Sequence, residues 1–394
     1  MATERDTFEG IDWDEIDQER GGIARRTIVF VASLVIVGLL FVNDRYVQHR
    51  AEPTIGLDLP VIGEVGWQAT DVDWLFIITL LAMLFYVVVP LYQNQRMTMH
   101  YWKQFKRNKA AVVSLIYLIV IFLIGTIGPL FLNPPPLDMP AAHQPPIGFS
   151  VDQAVPLDCV GEIQDGRCHG SWEHPLGTTH QGKDILISVI YGMQVSMQLG
   201  LISTLIIIVI ATIVGTASAY FGGLVDEVLM RYVHIQITFP TFFLYLLLVY
   251  LFGGSLFLMI LIFGFTGWGS IARIVRSEAL QRREEEYIMA ARCAGASGFY
   301  VMRRHLVPNV SNSVITAATL LIPGLILFEA ALSFLQLGDP TVPSWGLLIA
   351  NGRNYLGDAW WISTIPGFFL FFTILAFNFM GDALRDALDP RMEH

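Results

Sequence analysis

Eight long runs of apolar residues limit what this chain can become more than any other feature. They lie at 27–42, 74–92, 110–132, 196–221, 228–252, 256–274, 314–335 and 361–380. About 20 apolar residues cross a bilayer as one helix. Inside lipid only helices or closed barrels satisfy every backbone group. The runs are continuous rather than alternating, so the expected fold is an all-α polytopic membrane protein. The composition agrees: 54% of the 394 residues are hydrophobic. The first run is the shortest, and the segment before it, residues 1–26, is net acidic. A cleaved signal would open on a basic region instead.

Lys and Arg in short loops set orientation. Arg96, Lys103, Lys106, Arg107 and Lys109 precede the third run. Arg273, Arg276, Arg282, Arg283, Arg292, Arg303 and Arg304 lie between the sixth and seventh runs or beside them. Eight alternating spans put both segments on one side, together with both termini. That side is expected to be cytoplasmic. The opposite loops are poorer in cations: Arg45, Arg50, Arg167, Lys183 and Arg353. The net charge is −10, with few lysines among the cations. Such a balance suits a high-salt cytoplasm, as in a halophilic archaeon, or a GC-rich genome that favours Arg. Residues 1–26 read as an acidic, disordered cytoplasmic tail.

Two unequal parts follow. Residues 27–93 hold two accessory spans, with no buried polar residue that suggests chemistry. Residues 94–394 hold six spans and every motif. The aromatic and basic segment 101–109 at the junction suits the headgroup region. The largest outer loop, about 133–194, opens Pro-rich and carries Cys159 and Cys168. In an oxidising compartment these two can pair, the alternative being two free thiols. His143, His169, His174 and His180 share that loop, but their spacing fits no zinc pattern. Neither a metal nor another cofactor is expected. Gly177–Asp184 nearly matches a phosphate-binding loop, yet Asp184 replaces the Ser or Thr that would hold magnesium. Asn309-Val-Ser311 matches a glycosylation acceptor on the wrong side of the membrane. Glu329 is the clearest charge inside a span. It is either part of a functional pathway or the partner in a helix–helix hydrogen bond.

Between the sixth and seventh runs lies the polar stretch Glu284-Glu-Glu-Tyr-Ile-Met-Ala-Ala-Arg-Cys-Ala-Gly295. Read as a helix, it places Tyr287, Ala290, Ala291 and Ala294 on one side. Gly295 is a C-cap residue by type. A second amphipathic piece, 299–307, follows, and Pro308 is expected to prevent its simple continuation. The expectation is a helix–turn–helix elbow over about 275–313. Small residues on its face suit a protein partner better than lipid, which favours large apolar side chains.

Glu286 to Gly295, followed by His305-Leu-Val-Pro-Asn309, resembles the EAA loop of ABC-importer permeases. His174 to Asp184, Ile190 to Gly192 and Ser196 look like the outer access segment of the dipeptide/oligopeptide/nickel branch. Ala219 to Gly223 with Asp226, Ala331 to Leu335 with Gly338, Pro343 to Gly346, and Gly381 to Arg391 extend the likeness over about 100–392. Met289 stands where the motif has Glu, Thr179 where Asp is usual, Lys183 where Arg is usual, and Gln336 where Gly is usual.

The resemblance implies a six-helix permease core with two extra N-terminal helices, and half of a translocation pathway for dipeptides or oligopeptides. Nickel is the rival cargo. A non-transporting scaffold or receptor is the reading from another class. The implied partners are a second permease, two cytoplasmic ATPases, an extracytoplasmic solute-binding protein and the bilayer, with no nucleic acid. The chain would not be an enzyme. Glu286, Tyr287, Ala290, Ala291, Arg292, Gly295 and Pro308 would couple to the ATPase, with Arg292 facing acidic groups there. Gly177, Gly182 and Asp184 would mark the outer access segment.

Overall fold

The computed structural model describes residues 25–46, 55–59 and 63–388. All but two residues of the acidic tail lie outside that range. Six helices are each long and apolar enough to span a membrane on their own: α1 Arg25–Tyr46, α2 Asp71–Gln93, α4 Lys109–Phe131, α5 Ile185–Phe221, α8 Leu256–Arg283 and α10 Gly298–Phe334. A seventh, α12 Trp361–Leu388, closes the described chain. Shorter helices intervene: α3 Gln95–Phe105, α6 Gly223–Thr238, α7 Thr241–Phe252, α9 Glu286–Cys293 and α11 Trp345–Gly352. Two small antiparallel sheets add to the all-α expectation. One pairs β1 Ile55–Leu59 with β2 Gly63–Trp67. The other orders β3 Ser150–Asp152, β5 Arg167–His169 and β4 Ile163–Gln164.

The run expected at 228–252 is not one straight helix. α6 and α7 meet at 70°. The cause is local: Pro240 has no N–H, and it drives Phe239 to extended backbone (φ −71, ψ 127). The pair still crosses the molecule. Gly222, before α6, lies beside Arg283 at the end of α8. Gly254, after α7, packs on the backbone of Gly338 beyond α10. Because α8 is one helix between those ends, α6 and α7 together connect them. Counted as one span, the bent pair brings the candidate spans among the described residues to eight.

Contacts define the two ends. One gathers the loop 132–184, the turn at 253–256 and the segment 335–361. There the Trp361 Nε1 donates to Thr178 O at 3.1 Å and the Leu256 amide to Asp339 Oδ2 at 3.3 Å. The other end gathers α3, the α5–α6 turn, α9 and the end of α12.

The core centres on α5, whose small residues admit close neighbours. A Cβ on Gly192 would lie 2.3 Å from the Trp345 ring, and one on Gly215 2.7 Å from Ala272 O. Trp345 is fully buried, and its indole N–H donates to Val189 O at 3.1 Å. α1 contrasts with this: it buries no residue and leaves Ile36 and Leu39 open. α2 is better anchored. Asp73 closes a capping box with Thr70 and accepts from Gln198 Nε2 of α5 at 2.7 Å. This is a packing contact at the edge of the accessory part. Asp73 stands just before the apolar run, where sequence reads it as a loop residue.

Candidate functional site

α8 ends at Arg283, and the extended residue Glu285 opens α9 (φ −69, ψ 142). Glu286 in the first turn and Arg292 in the last match the helix macrodipole. One apolar residue anchors α9. Ile288 is fully buried with Val301 and Leu306, against Tyr220, Ala296 and Met302. The other faces are open: Tyr287, Met289, Ala290 and Ala294 are exposed, and Ala291 is half-buried.

The turn after α9 is a Schellman motif. Ala296 N–H donates to Ala291 O at 3.0 Å, and Gly295 N–H to Arg292 O at 2.9 Å. This closure puts Gly295 at φ +84, a left-handed conformation, with open space where a Cβ would stand. Ser297 then caps α10, accepting from the Tyr300 amide at 3.3 Å.

Pro308 does not interrupt the second piece, contrary to expectation. α10 runs unbroken from Gly298 through it. The turn Met302–Leu306 is widened, with Val307 N–H donating to Met302 O. Widening moves the carbonyl that the proline ring would strike and whose partner N–H it lacks. α2 uses the same device: Val89 N–H donates to Leu84 O immediately before Pro90.

The elbow is clamped to the α5–α6 turn. Arg276 grips Asp226 with Nε and Nη2, both at 2.5 Å, and the Ser218 hydroxyl also donates to Asp226. Arg283 Nη1 donates to Ala219 O at 2.8 Å. The Arg292 guanidinium sits 4.6 Å above the Tyr220 ring. Arg292 is thus engaged inside the chain. Tyr287 is too: Asn309 Nδ2 donates to its hydroxyl at 3.1 Å, and its ring meets that of His305 at 6.0 Å. The clamp formed by Asp226 and Arg276 escaped sequence reasoning. Only their opposite charge, at a separation of 50 residues, signalled it.

At the opposite end, the segment 174–184, expected to be the outer access segment, is a scaffold for α5. Asp184 accepts from Ile187 N at 3.0 Å and shares a 2.8 Å hydrogen bond with His174 Nδ1. Gly177 packs on Trp361 and Gln144, and Gly182 on the backbone of Asp138. Buried Gln144, which sequence reasoning also missed, bonds both Asp158 O at 2.5 Å and the Val160 amide at 3.0 Å. Cys159 and Cys168 form a disulfide with Cα atoms 5.8 Å apart. His143 and His180 flank Tyr355, at ring separations of 4.8 and 5.4 Å. Burial lowers the affinity of both for a proton. His180 adds to the effect at His143, where Asp358 opposes it, and Lys183 adds to it at His180. Among the described residues no three His, Cys, Asp or Glu side chains converge as metal ligands. Glu329 is buried in α10 and accepts from Ser333 of the same helix at 2.7 Å. It also hydrogen-bonds Ser344, the cap residue of α11, so a partner on another helix is present, as one of the two expected alternatives has it.

Residues 207–394 match the family described as binding-protein-dependent transport system inner membrane component. Residues 97–146 match the N-terminal TM domain of oligopeptide transport permease C. Among curated proteins, the chain is 37% identical over 290 residues to the oligopeptide transport system permease protein OppC of Haemophilus influenzae, covering 73% of this chain and 87% of that one. It is 34% identical over 293 residues to the dipeptide transport system permease protein DppC of Bacillus subtilis, covering 74% and 85%. It is 36% identical over 292 residues to the OppC protein of Escherichia coli, covering 73% and 89%.

Proposed function

The chain belongs to the binding-protein-dependent transport permeases, in their OppC/DppC-like branch, and on that premise we propose how it carries peptides and couples to its motor. It is a multi-pass membrane subunit of an ABC importer and not itself catalytic. Its cargo is a dipeptide or oligopeptide, by likeness to relatives named for those solutes. It provides half of the translocation pathway beside a second permease. Two separate ATPases drive it from the cytoplasm, and an extracytoplasmic binding protein delivers the solute. The cation-rich end, with α3 and α9, is the cytoplasmic one, so both termini lie there.

One observation carries the coupling role. α9 presents Tyr287, Met289, Ala290 and Ala294 to solvent, while Ile288 and the Arg276–Asp226 and Arg283–Ala219 contacts tie the elbow to three spans. A push on that face is transmitted into α5, α8 and α10 rather than absorbed by a loose loop. Alternation between inward- and outward-open forms by rocking of helix bundles follows. Met289 removes the carboxylate usual in the motif, so contact rests on shape at Ala290, Ala291 and Gly295. Glu286, Tyr287, Arg292 and Pro308 hold that shape.

Gly295→Val tests this. The left-handed backbone costs a non-Gly residue about 1–2 kcal/mol, with no neighbour to clash. Peptide uptake and peptide-stimulated ATP hydrolysis by the reconstituted complex should both fall several-fold, with the complex still assembled. Unchanged coupling would sink the assignment.

A further inference from the structure

Residues 74–137 contain no Asp or Glu, in a chain with 34 acidic residues. Within that stretch stand Arg96, Lys103, Lys106, Arg107 and Lys109. All five are exposed, and among the described residues none of them forms an ion pair. Three of the chain's lysines thus sit within seven residues, while Lys183 stands alone at the other end. Elsewhere the cations are arginines, several of them held by carboxylates or carbonyls.

These cations border a built feature. α3 lies across the ends of α4 and α12, pinned where Phe105 buries against Ala111 and Ala383. Trp102 stacks on Phe105 at 5.8 Å and carries Lys106 over its ring at 5.3 Å. An open groove of about 480 Å³ runs between the α3–α4 turn and the last turns of α12. Gln104, Arg107, Asn108, Lys109 and Asp386 supply its polar lining. Gln104 Oε1 is buried there with no hydrogen-bond partner. The groove therefore offers two kinds of group. Arg107 and Lys109 are unpaired donors for an anion. Gln104 Oε1 and Asp386 are acceptors that need hydroxyl hydrogens.

We propose that this groove is a binding site for an anionic phospholipid whose headgroup carries both a phosphate and free hydroxyls. Arg107 and Lys109 take the phosphate; Gln104 and Asp386 take the hydroxyls; Trp102 and Tyr101 rest at the level of the glycerol esters. Basic pockets between spanning helices at the membrane surface recognise such headgroups, and each cation near the surface contributes on the order of tenfold or less in affinity. A free phosphate ion satisfies the cations alone and leaves the acceptors unpaired. A lipid also brings acyl chains that lie along the exposed apolar flank of α4, at Val113, Ile116 and Val120. The proposal stands apart from the transport reading, which enters only in naming the cytoplasmic leaflet as the source.

The test uses the full-length chain in its complex, exchanged into phosphatidylcholine nanodiscs containing a minor fraction of phosphatidylglycerol. Mass spectrometry then counts the lipid that stays bound after partial delipidation. Phosphatidylglycerol should be retained over phosphatidylcholine, and over phosphatidic acid, which has the phosphate without the hydroxyls. The double substitution Arg107→Gln with Lys109→Gln should lower retention about tenfold or more. The charge-keeping pair Arg107→Lys with Lys109→Arg should restore it, and Lys183→Gln should leave it unchanged. Equal retention by the doubly neutral variant would overturn the site. So would phosphatidic acid or inorganic phosphate binding as well as phosphatidylglycerol does, which would mean simple anion attraction. Both neutralised residues are exposed, and an unchanged thermal midpoint would separate loss of binding from loss of fold.

Discussion

Gln336 holds φ +61, in the left-handed region where a Cβ is strained. It is the residue after the cap of α10: Gln336 N–H donates to Ser333 O and Leu337 N–H to Leu332 O, both at 2.9 Å. This is the same closure that Gly295 makes after α9, built without the glycine. Gln336→Gly should therefore raise stability by about 1 kcal/mol, read as a higher thermal midpoint of the purified chain. A fall would mean that the Gln336 side chain contributes more than the backbone strain costs. Asp73 offers the opposite case. Asp73→Ala removes a capping box, worth about 1 kcal/mol. It also leaves the buried Gln198 amide unpaired, a penalty of about 1–3 kcal/mol. A cysteine crosslink between α2 and α5 should form more slowly in that variant. An unchanged rate would show that the polar contact does not hold α2 in place.

At the scale of elements, α9 depends on one side chain. Ile288→Ala should cost about 2–5 kcal/mol of local packing. Amide exchange over residues 286–293 should speed up while α5 and α8 keep their protection. Loss of protection throughout would mean that α9 is no separable unit. This helix was legible in the sequence, because small residues at helical spacing ending in Gly295 leave few alternatives. The bend at Pro240 and the passage of Pro308 were not. Pro240 lies inside a run read as continuous and breaks it, whereas Pro308 reads as a break and is not one. Pro240 meets an extended Phe239, whereas Pro308 follows a widened turn whose carbonyls are already displaced. No local residue type marks that difference. The early start of α5 at Ile185, eleven residues before its apolar run, depends on Asp184 as a cap and on Trp345 and Trp361 arriving from over 150 residues away. Sequence periodicity does not report such partners.

Over the whole molecule, the loop cap at 132–184 and the elbow at the opposite end answer to different conditions. Burial holds His143 and His180 below their ordinary value of 6.5. The unfolded chain then binds more protons than the folded one as pH falls through that value. Stability is full above it and declines toward the lower folded values. Acidification from pH 7 to pH 5 should lower the thermal midpoint and loosen residues 143–180 in amide exchange. Replacing both histidines by Gln should flatten the slope; an unaltered slope would assign it to other groups. Reducing the Cys159–Cys168 bridge should cost the same cap roughly 2–3 kcal/mol, with little change in exchange at α9.

α10 spans 37 residues and carries Pro323 inside it. At 1.5 Å per residue, Gly298 lies about 38 Å from that proline and Phe334 about 17 Å. If the helix swings about Pro323, its arms differ by roughly two to one. A broad stroke applied at the elbow would then become a short, forceful one at the far rim, as in a reduction gear. Spin labels at Phe299 and Leu335 should report displacements in about that ratio between nucleotide states, and equal displacements would mean that the helix translates without pivoting.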